Sequence, residues 1–280
     1  MNRLGKFAAA GAVVLGVAFA WTASAEPPME ATAVSHMEST TADPYRDPGV
    51  FGEYWWANRF LSRHQLVEQY KGKTVDVVML GDSIIHFWER FHPASWGRLI
   101  AGRHVLNLGY GGDRTQHVIW RIAHGELDGY TAKTVVVMIG TNNNSSDKTD
   151  PANVAEGVKR IVALVREKQP QAKVILHPIF PRGVSAESKY HAAARARNEK
   201  TNAILRDFAA KDGKLEWIDF NAKFLDAGGW VPKTLMADEI HPTDAGYELW
   251  LEALRGRLES NGDSPPENSS GGEVCPKPRK

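Results

Sequence analysis

Four short stretches of the 280-residue chain carry side chains able to do chemistry. Gly81-Asp82-Ser83 closes an apolar run that begins at Val75. Asn107-Leu108-Gly109-Tyr110-Gly111-Gly112-Asp113 follows a second apolar run, and Gly140-Thr141-Asn142-Asn143 follows a third. Asp238-Glu239-Ile240-His241-Pro242 precedes the last helical pattern. A serine hydroxyl is a poor nucleophile at neutral pH. It needs a base, a group that orients the base, and donors for the oxyanion it creates. These stretches contain one residue for each role. Ser83 would attack, and His241 would take its proton and return it to a leaving alcohol. Asp238, three residues earlier, would hold the imidazole tautomer. The N–H of Ser83, at a strand-to-helix turn, would point at an anion. Gly112 has no side chain to screen a second N–H, and the amide of Asn142 would be a third donor. The chemistry implied is acyl transfer through a serine.

Taken singly, each stretch has a plainer reading. Gly-Asp-Ser after a strand serves as a helix cap, Asp-x-x-His-Pro as another, and glycine-rich turns mostly serve the backbone. Their order along the chain carries the argument, and that depends on the elements between them. Val75–Leu80 is a short β-branched run, apolar on both faces apart from Asp76, as in a central parallel strand. Similar runs recur at Val105–Leu108, Thr134–Ile139, Lys173–Leu176 and Leu215–Ile218. Helical patterns separate them. Asp150-Pro151 opens one, with Asp as N-cap and Pro at the first helical position. Another runs from about His191 to Ala210. A third follows Pro242, with Tyr247, Trp250, Leu251, Leu254 and Leu258 at helical spacing. The alternation predicts a doubly wound α/β domain with a parallel sheet of about five strands. Ligands of such sheets bind at the carboxyl ends of the strands. Tyr54, Trp55, Trp56, Phe60, Leu61, Leu66, Val67 and Tyr70 are also spaced helically. Packing against the sheet is preferred for these aromatics over a carbohydrate-stacking platform.

Composition sets outer bounds. With 42% hydrophobic and 24% charged residues and a formal charge of +1, the chain reads as an ordinary globular protein without the basic surplus of a nucleic-acid binder. Residues 1–25 read as a secretory signal peptide: Arg3 and Lys6, the apolar run Phe7–Ala20, then Ala23-Ser24-Ala25 as a cleavage site after Ala25. The expected location is therefore secreted or periplasmic, with no stable membrane insertion. Residues 26–48 read as a disordered linker, 49–258 as the enzymatic domain, and 259–280 as a disordered tail. The one cysteine, Cys275, lies in that tail, so the fold is expected to have no internal disulfide. Asn144-Ser145-Ser146 and Asn268-Ser269-Ser270 match the glycosylation pattern and are read as unused.

At this point the four stretches resemble the blocks of the SGNH, or GDSL-type, esterase/lipase family. Ser83, Gly112, Asn142 and His241 match its four name-giving residues, and Asp238 its third triad member. Gly111-Gly112-Asp113-Arg114-Thr115, Val118-Ile119-Trp120-Arg121-Ile122, Ile139-Gly140-Thr141-Asn142-Asn143 and Pro178-Ile179-Phe180-Pro181-Arg182-Gly183 resemble the branch around the catalytic subunits of platelet-activating-factor acetylhydrolase IB. The resemblance spans roughly Trp55 to Leu258. It implies a flavodoxin-like three-layer α/β/α sandwich, no metal or other cofactor, and hydrolysis of small acyl esters. One departure is Ile85-His86-Phe87-Trp88 after Ser83-Ile84, bulkier than in many relatives, which suggests an aromatic wall beside the nucleophile.

The reading is an exported serine esterase acting on short-chain acyl esters, O-acetyl groups on carbohydrates first. A phospholipid acetylhydrolase or general short-chain lipase is the alternative. From another class, a non-catalytic glycan-binding module would use Trp55 and Trp56 as its contact surface. The elbow G-x-S-x-G is absent, Gly109–Gly112 lacks the dinucleotide spacing, and no H-E-x-x-H or clustered Cys/His suggests a metal. His86 is a rival base, but on the helix that Ser83 opens it cannot easily reach the hydroxyl and an acidic orienter together. His177 reads as a pocket wall or capped core residue. Asp82 reads as a structural acceptor, and Asp113 with Arg114 as either a brace for the oxyanion loop or a surface ion pair.

Overall fold

The computed structural model describes residues 55–258. The signal peptide, linker and tail expected at 1–25, 26–48 and 259–280 lie outside them, as do Asn268 and Cys275. Helix α1 (Trp55–Gln69) leads into β1 (Thr74–Gly81), α2 (Ser83–Phe91) and α3 (Pro93–Ile100). Then come β2 (Val105–Gly109), α4 (Thr115–Ala123), β3 (Thr131–Met138), α5 (Pro151–Lys168), β4 (Lys173–Leu176), α6 (Lys189–Ala210), β5 (Leu215–Trp217), a 3-10 turn (Asn221–Phe224) and α7 (Asp244–Leu254). The sheet is wholly parallel, in the order β2-β1-β3-β4-β5. That is the flavodoxin-like order, whose switch point lies beside β1, between connections that leave in opposite directions.

Both faces of the sheet are covered, which is why its strands are apolar on both sides. Val135 and Val137 of β3 join the core under α1, α4, α5 and α6. Val136 and Met138 join the core under α2, α3 and α7. The result is three layers, as the alternation of runs predicts. The second core is rich in aromatics: Trp88 of α2 stacks on Trp250 of α7 at 4.8 Å and on Tyr247 at 5.1 Å. The Tyr247 hydroxyl donates to Ile84 O at 2.6 Å. These contacts lock α7, which begins just after His241, onto α2, which begins at Ser83.

The elements start and stop where local chemistry dictates. Asp150 caps α5 by accepting from Ala152 N, with Pro151 in the first turn. α6 begins at Lys189, two residues before the sequence pattern, and α7 ends at Leu254, one turn short of Leu258. β3 starts three residues early, at Thr131, where its N–H and that of Ala132 find acceptors in Lys73 O and Gln169 Oε1. The apolar count alone misses strand ends of this kind.

Candidate active site

Three strand ends and one loop converge at the carboxyl edge of the sheet. β1 delivers Gly81-Asp82-Ser83 directly into α2. Asp82 is the N-cap, its Oδ1 accepting from Ile84 N at 3.0 Å, so it has the structural role expected of it. Burial pushes its carboxyl up to about 7 against that bond and the nearby His241. Ser83 is the first residue of α2, so its N–H has no acceptor within the helix.

Ser83 Oγ lies 2.8 Å from His241 Nε2. His241 Nδ1 lies 2.6 Å from Asp238 Oδ2. For Nε2 to accept the serine proton, the ring's hydrogen must sit on Nδ1 and donate to Asp238. The other carboxylate oxygen, Oδ1, accepts the backbone N–H groups of His241 at 2.7 Å and Ile240 at 3.0 Å. Partial burial works to raise the Asp238 carboxyl. The His241 bond and charge and these two N–H groups outweigh it and hold the group well below the usual carboxylate range. Asp238 therefore stays ionised and oriented at neutral pH. Residues 158 positions apart in sequence meet because the sheet and α7 bring the first strand end and the last loop to one edge.

The donor side is built as tightly. Gly112 has φ +74, a left-handed conformation that suits glycine, and its N–H donates to no other described residue. The Asn142 amide donates one hydrogen to Asp113 O at 2.9 Å. Its Nδ2 carries two, so the second remains for a ligand. The loop that carries Gly112 is tied down from inside. Asp113 is fully buried and accepts from Trp56 Nε1 at 2.7 Å and Arg121 Nε at 2.9 Å. Arg121 also pairs with the buried Glu126, which accepts from the Tyr110 hydroxyl, and its guanidinium lies 3.9 Å from the Tyr110 ring centroid. Burial pushes the Asp113 carboxyl up to about 6, with Arg121 and Trp56 pulling the other way. The brace foreseen for Asp113 is thus present, but its partner is Arg121 rather than Arg114, whose side chain is exposed. Asp113 lies just ahead of α4 and Arg121 within it, eight positions on, and an arginine on the helix that follows the glycine turn is the signal in the sequence that could have found the pair.

A second support is Arg59 of α1. Its Nε donates to Gly109 O at 2.7 Å and its Nη2 to Asn107 Oδ1 at 3.2 Å, while Asn107 Nδ2 donates to Ile85 O at 2.9 Å. Nothing in the spacing of the sequence points to Arg59, because it reaches the site only through the packing of α1.

Several other expectations are settled here. Trp55 and Trp56 are buried at 6% and 1% exposure, so they pack and offer no stacking platform. His86 is buried, stacked 6.3 Å from Trp55, and driven well below the usual histidine range by burial and by Arg59, Arg90 and Arg63. It is His241 that holds the Ser83 hydroxyl. His177 is a core residue: Nδ1 donates to Ile218 O at 2.9 Å and Nε2 accepts from Trp250 Nε1 at 3.0 Å. The aromatic wall shrinks to one side chain. Ile85, His86 and Trp88 all point into the core, and only Phe87 meets the site, 4.8 Å from the His241 ring. A helix presents successive side chains in different directions, so four bulky neighbours cannot share one wall. Asn144 is buried with its amide on Thr201 Oγ1, which leaves no room for a glycan. Among the described residues no group of three or more His, Cys, Asp or Glu could hold a metal, and no helix is long and apolar enough to cross a membrane.

Fold and site together define a class, the three-layer α/β/α hydrolases. The model of the GDSL-like lipase/acylhydrolase family matches residues 79–249. The alpha2 subunit of platelet-activating factor acetylhydrolase IB from Rattus norvegicus is 32% identical over 212 residues, covering 75% of this chain and 88% of that protein. The alpha1 subunit from Homo sapiens is 32% identical over 225 residues, covering 80% and 92%. Among solved structures, a GDSL-like lipase from Bacteroides thetaiotaomicron superposes with a TM-score of 0.56 at 18% identity, covering 74% of this chain and 96% of that one. A lipolytic protein of the G-D-S-L family from Veillonella parvula gives 0.51 at 22%, covering 64% and 94%. The chain belongs to the GDSL-like lipase/acylhydrolase family and is an ester-hydrolysing enzyme.

Proposed function

We propose that this enzyme is an exported serine esterase that removes short acyl groups, acetyl foremost, through an acyl-enzyme on Ser83. The observation that carries the reading is the hydrogen-bonded chain Ser83–His241–Asp238. Ser83 Oγ attacks the acyl carbonyl as its proton passes to His241 Nε2. Asp238 stays ionised and holds the imidazolium. The tetrahedral oxyanion is met by the N–H groups of Ser83 and Gly112 and by the second amide hydrogen of Asn142. Collapse expels the alcohol, which takes the proton from His241. Water, deprotonated by His241, then releases the acid and restores Ser83.

Support for acetyl comes from the relatives, which are named acetylhydrolases. Export rests on the leader-like residues 1–25, and with it the preference for O-acetyl groups on carbohydrates. A second reading, an acetyl ester on a phospholipid, draws on the same relatives, whose name gives platelet-activating factor as their substrate.

Ser83→Ala should abolish turnover of p-nitrophenyl acetate while leaving the thermal transition in place. A folded, fully active variant would sink the mechanism. Acetylated xylo-oligosaccharides and a 2-acetyl phospholipid, assayed side by side, decide between the two leaving groups.

A further inference from the structure

The stretch Pro178–Gly183 contributes no group to the chemistry above, yet it is built with care. It follows β4 without regular secondary structure, so side chains must satisfy its backbone. Ile179 N–H donates to Asn202 Oδ1, and Ile179 O accepts from Asn202 Nδ2 and Asn221 Nδ2, all at 2.8–2.9 Å. Phe180 O accepts from Asn198 Nδ2 at 3.2 Å. Beyond this platform, Arg182 and the pair Gly183-Val184 reach in opposite directions. The Arg182 guanidinium is buried. It donates from Nη1 to Ser145 Oγ at 2.8 Å, and Ser145 Oγ donates to Thr141 O at 2.9 Å. Those two bonds close the turn that carries Asn142. Its other edge faces His191 Nδ1, with Nη2 at 3.0 Å. Gly183 N–H donates to Glu239 O, and Val184 N–H to Glu239 Oε2, both at 3.2 Å.

Glu239 is the one non-glycine residue among those described with a left-handed backbone, at φ +69. Such a conformation is unfavourable for a glutamate and persists only where neighbours impose it. Here it lies between Asp238 and the two residues, Ile240 and His241, whose N–H groups turn back onto the Asp238 carboxylate. The left-handed step at Glu239 therefore sets how Asp238 faces the His241 ring.

We propose that Arg182 and Glu239 are positioning residues: through the segment between them they hold the turn bearing Asn142 and the loop bearing Asp238 and His241 in one fixed relation. The inference rests on the proposed roles of those three residues. Neither Arg182 nor Glu239 touches the reacting atoms. Their effect falls on the rate of the chemical step, not on the capture of substrate.

Three variants at position 239 test this with p-nitrophenyl acetate. Glu239→Gln keeps an acceptor for Val184 and should retain activity within about twofold. Glu239→Ala loses the acceptor and keeps the backbone penalty, so kcat should fall about 10- to 100-fold with KM nearly unchanged. Glu239→Gly loses the acceptor but relieves the penalty, and should fall between the two. Arg182→Lys cannot serve Ser145 and His191 at once and should lower kcat likewise. Combined with Glu239→Ala it should cost less than the product of the two separate losses, since both break one brace. If Arg182→Lys does not fold, the series at 239 still decides. Full kcat in folded Glu239→Ala, or equal losses in the alanine and glutamine variants, would overturn the brace. Ser83 labelling by a fluorophosphonate, read by intact mass, separates the two levels. An unlabelled wild-type enzyme would overturn the serine mechanism and the brace with it. Labelling that is normal in wild type and as fast in Glu239→Ala would overturn the brace alone.

Discussion

His177 gives the enzyme an acid sensitivity that belongs to its fold. The ring is fully buried, donating to Ile218 O and accepting from Trp250; a protonated ring could still donate to Ile218 O, but only the neutral form can accept from Trp250. Burial lowers its pKa to about 4, against a bond to Ile218 O that works to raise it. In the unfolded chain the group returns to about 6.5. The sign follows. Above about pH 6.5 neither state holds the proton and the histidine contributes nothing to pH dependence. As pH falls toward 4 the unfolded chain takes up a proton that the folded one refuses, so stability is lost. The window is about two and a half pH units wide at about 1.4 kcal/mol each, which gives a loss of ~2 kcal/mol by pH 5 and ~3 kcal/mol by pH 4. That is a large part of the 5–15 kcal/mol typical of a domain. His177→Gln retains a donor and an acceptor and cannot titrate. Urea unfolding followed by tryptophan fluorescence at pH 7, 6 and 5 measures both proteins. The wild type should lose ~2 kcal/mol more than the variant across that range. Parallel pH profiles for the two would refute the account of His177 as a neutral core residue.

Three further outcomes follow from the geometry. Asn142→Ala should lower kcat on p-nitrophenyl acetate by ~10²–10³ with little change in KM, the usual effect of losing one oxyanion donor. Steady-state kinetics checks it, and an unchanged kcat would remove Asn142 from the set. Gly109→Ala should destabilise the fold by up to ~3 kcal/mol, because an added Cβ would sit 2.5 Å from His86 N and 2.6 Å from Ile85 Cβ, where α2 crosses the end of β2. Thermal denaturation reads this directly. Phe87→Ala opens space beside the His241 ring and should raise the butyrate-to-acetate ratio of kcat/KM by about tenfold, the worth of a methylene or two in a pocket. A constant ratio would mean that Phe87 faces the leaving group instead.

The alternation of β-branched runs with helical patterns was enough to specify a parallel doubly wound sheet. Each run is short and apolar on both faces, and only a strand covered on both sides needs that composition. The same reading placed Ser83, Gly112, Asn142 and the Asp238–His241 pair at the sheet edge, because strand ends in this fold share one side. The capping of α5 by Asp150 and Pro151 was legible for a similar reason, since it depends only on neighbours along the chain. Element ends were read less well, as at Thr131, where acceptors distant in sequence extend β3.

What the sequence determined, then, is local chemistry and its order: which residue can attack, which can take a proton, and which turn leaves an N–H free. What only the tertiary structure decided is which side chains reach one another. Four bulky residues after Ser83-Ile84 read as a wall, and the turn of α2 sends three of them into the core. Asp113 could have paired with adjacent Arg114, and the fold gives it Arg121 and Trp56. The aromatic run at Trp55 and Trp56 served packing once α1 lay against the sheet. The contacts of Arg59, Arg182 and Glu239 could not be read from the sequence, because each reaches backbone or side-chain groups distant along the chain. The nucleophile we propose, Ser83, is a matter of residue type. Its 2.8 Å approach to His241 Nε2, across 158 positions, exists only because three layers of structure hold the two ends together.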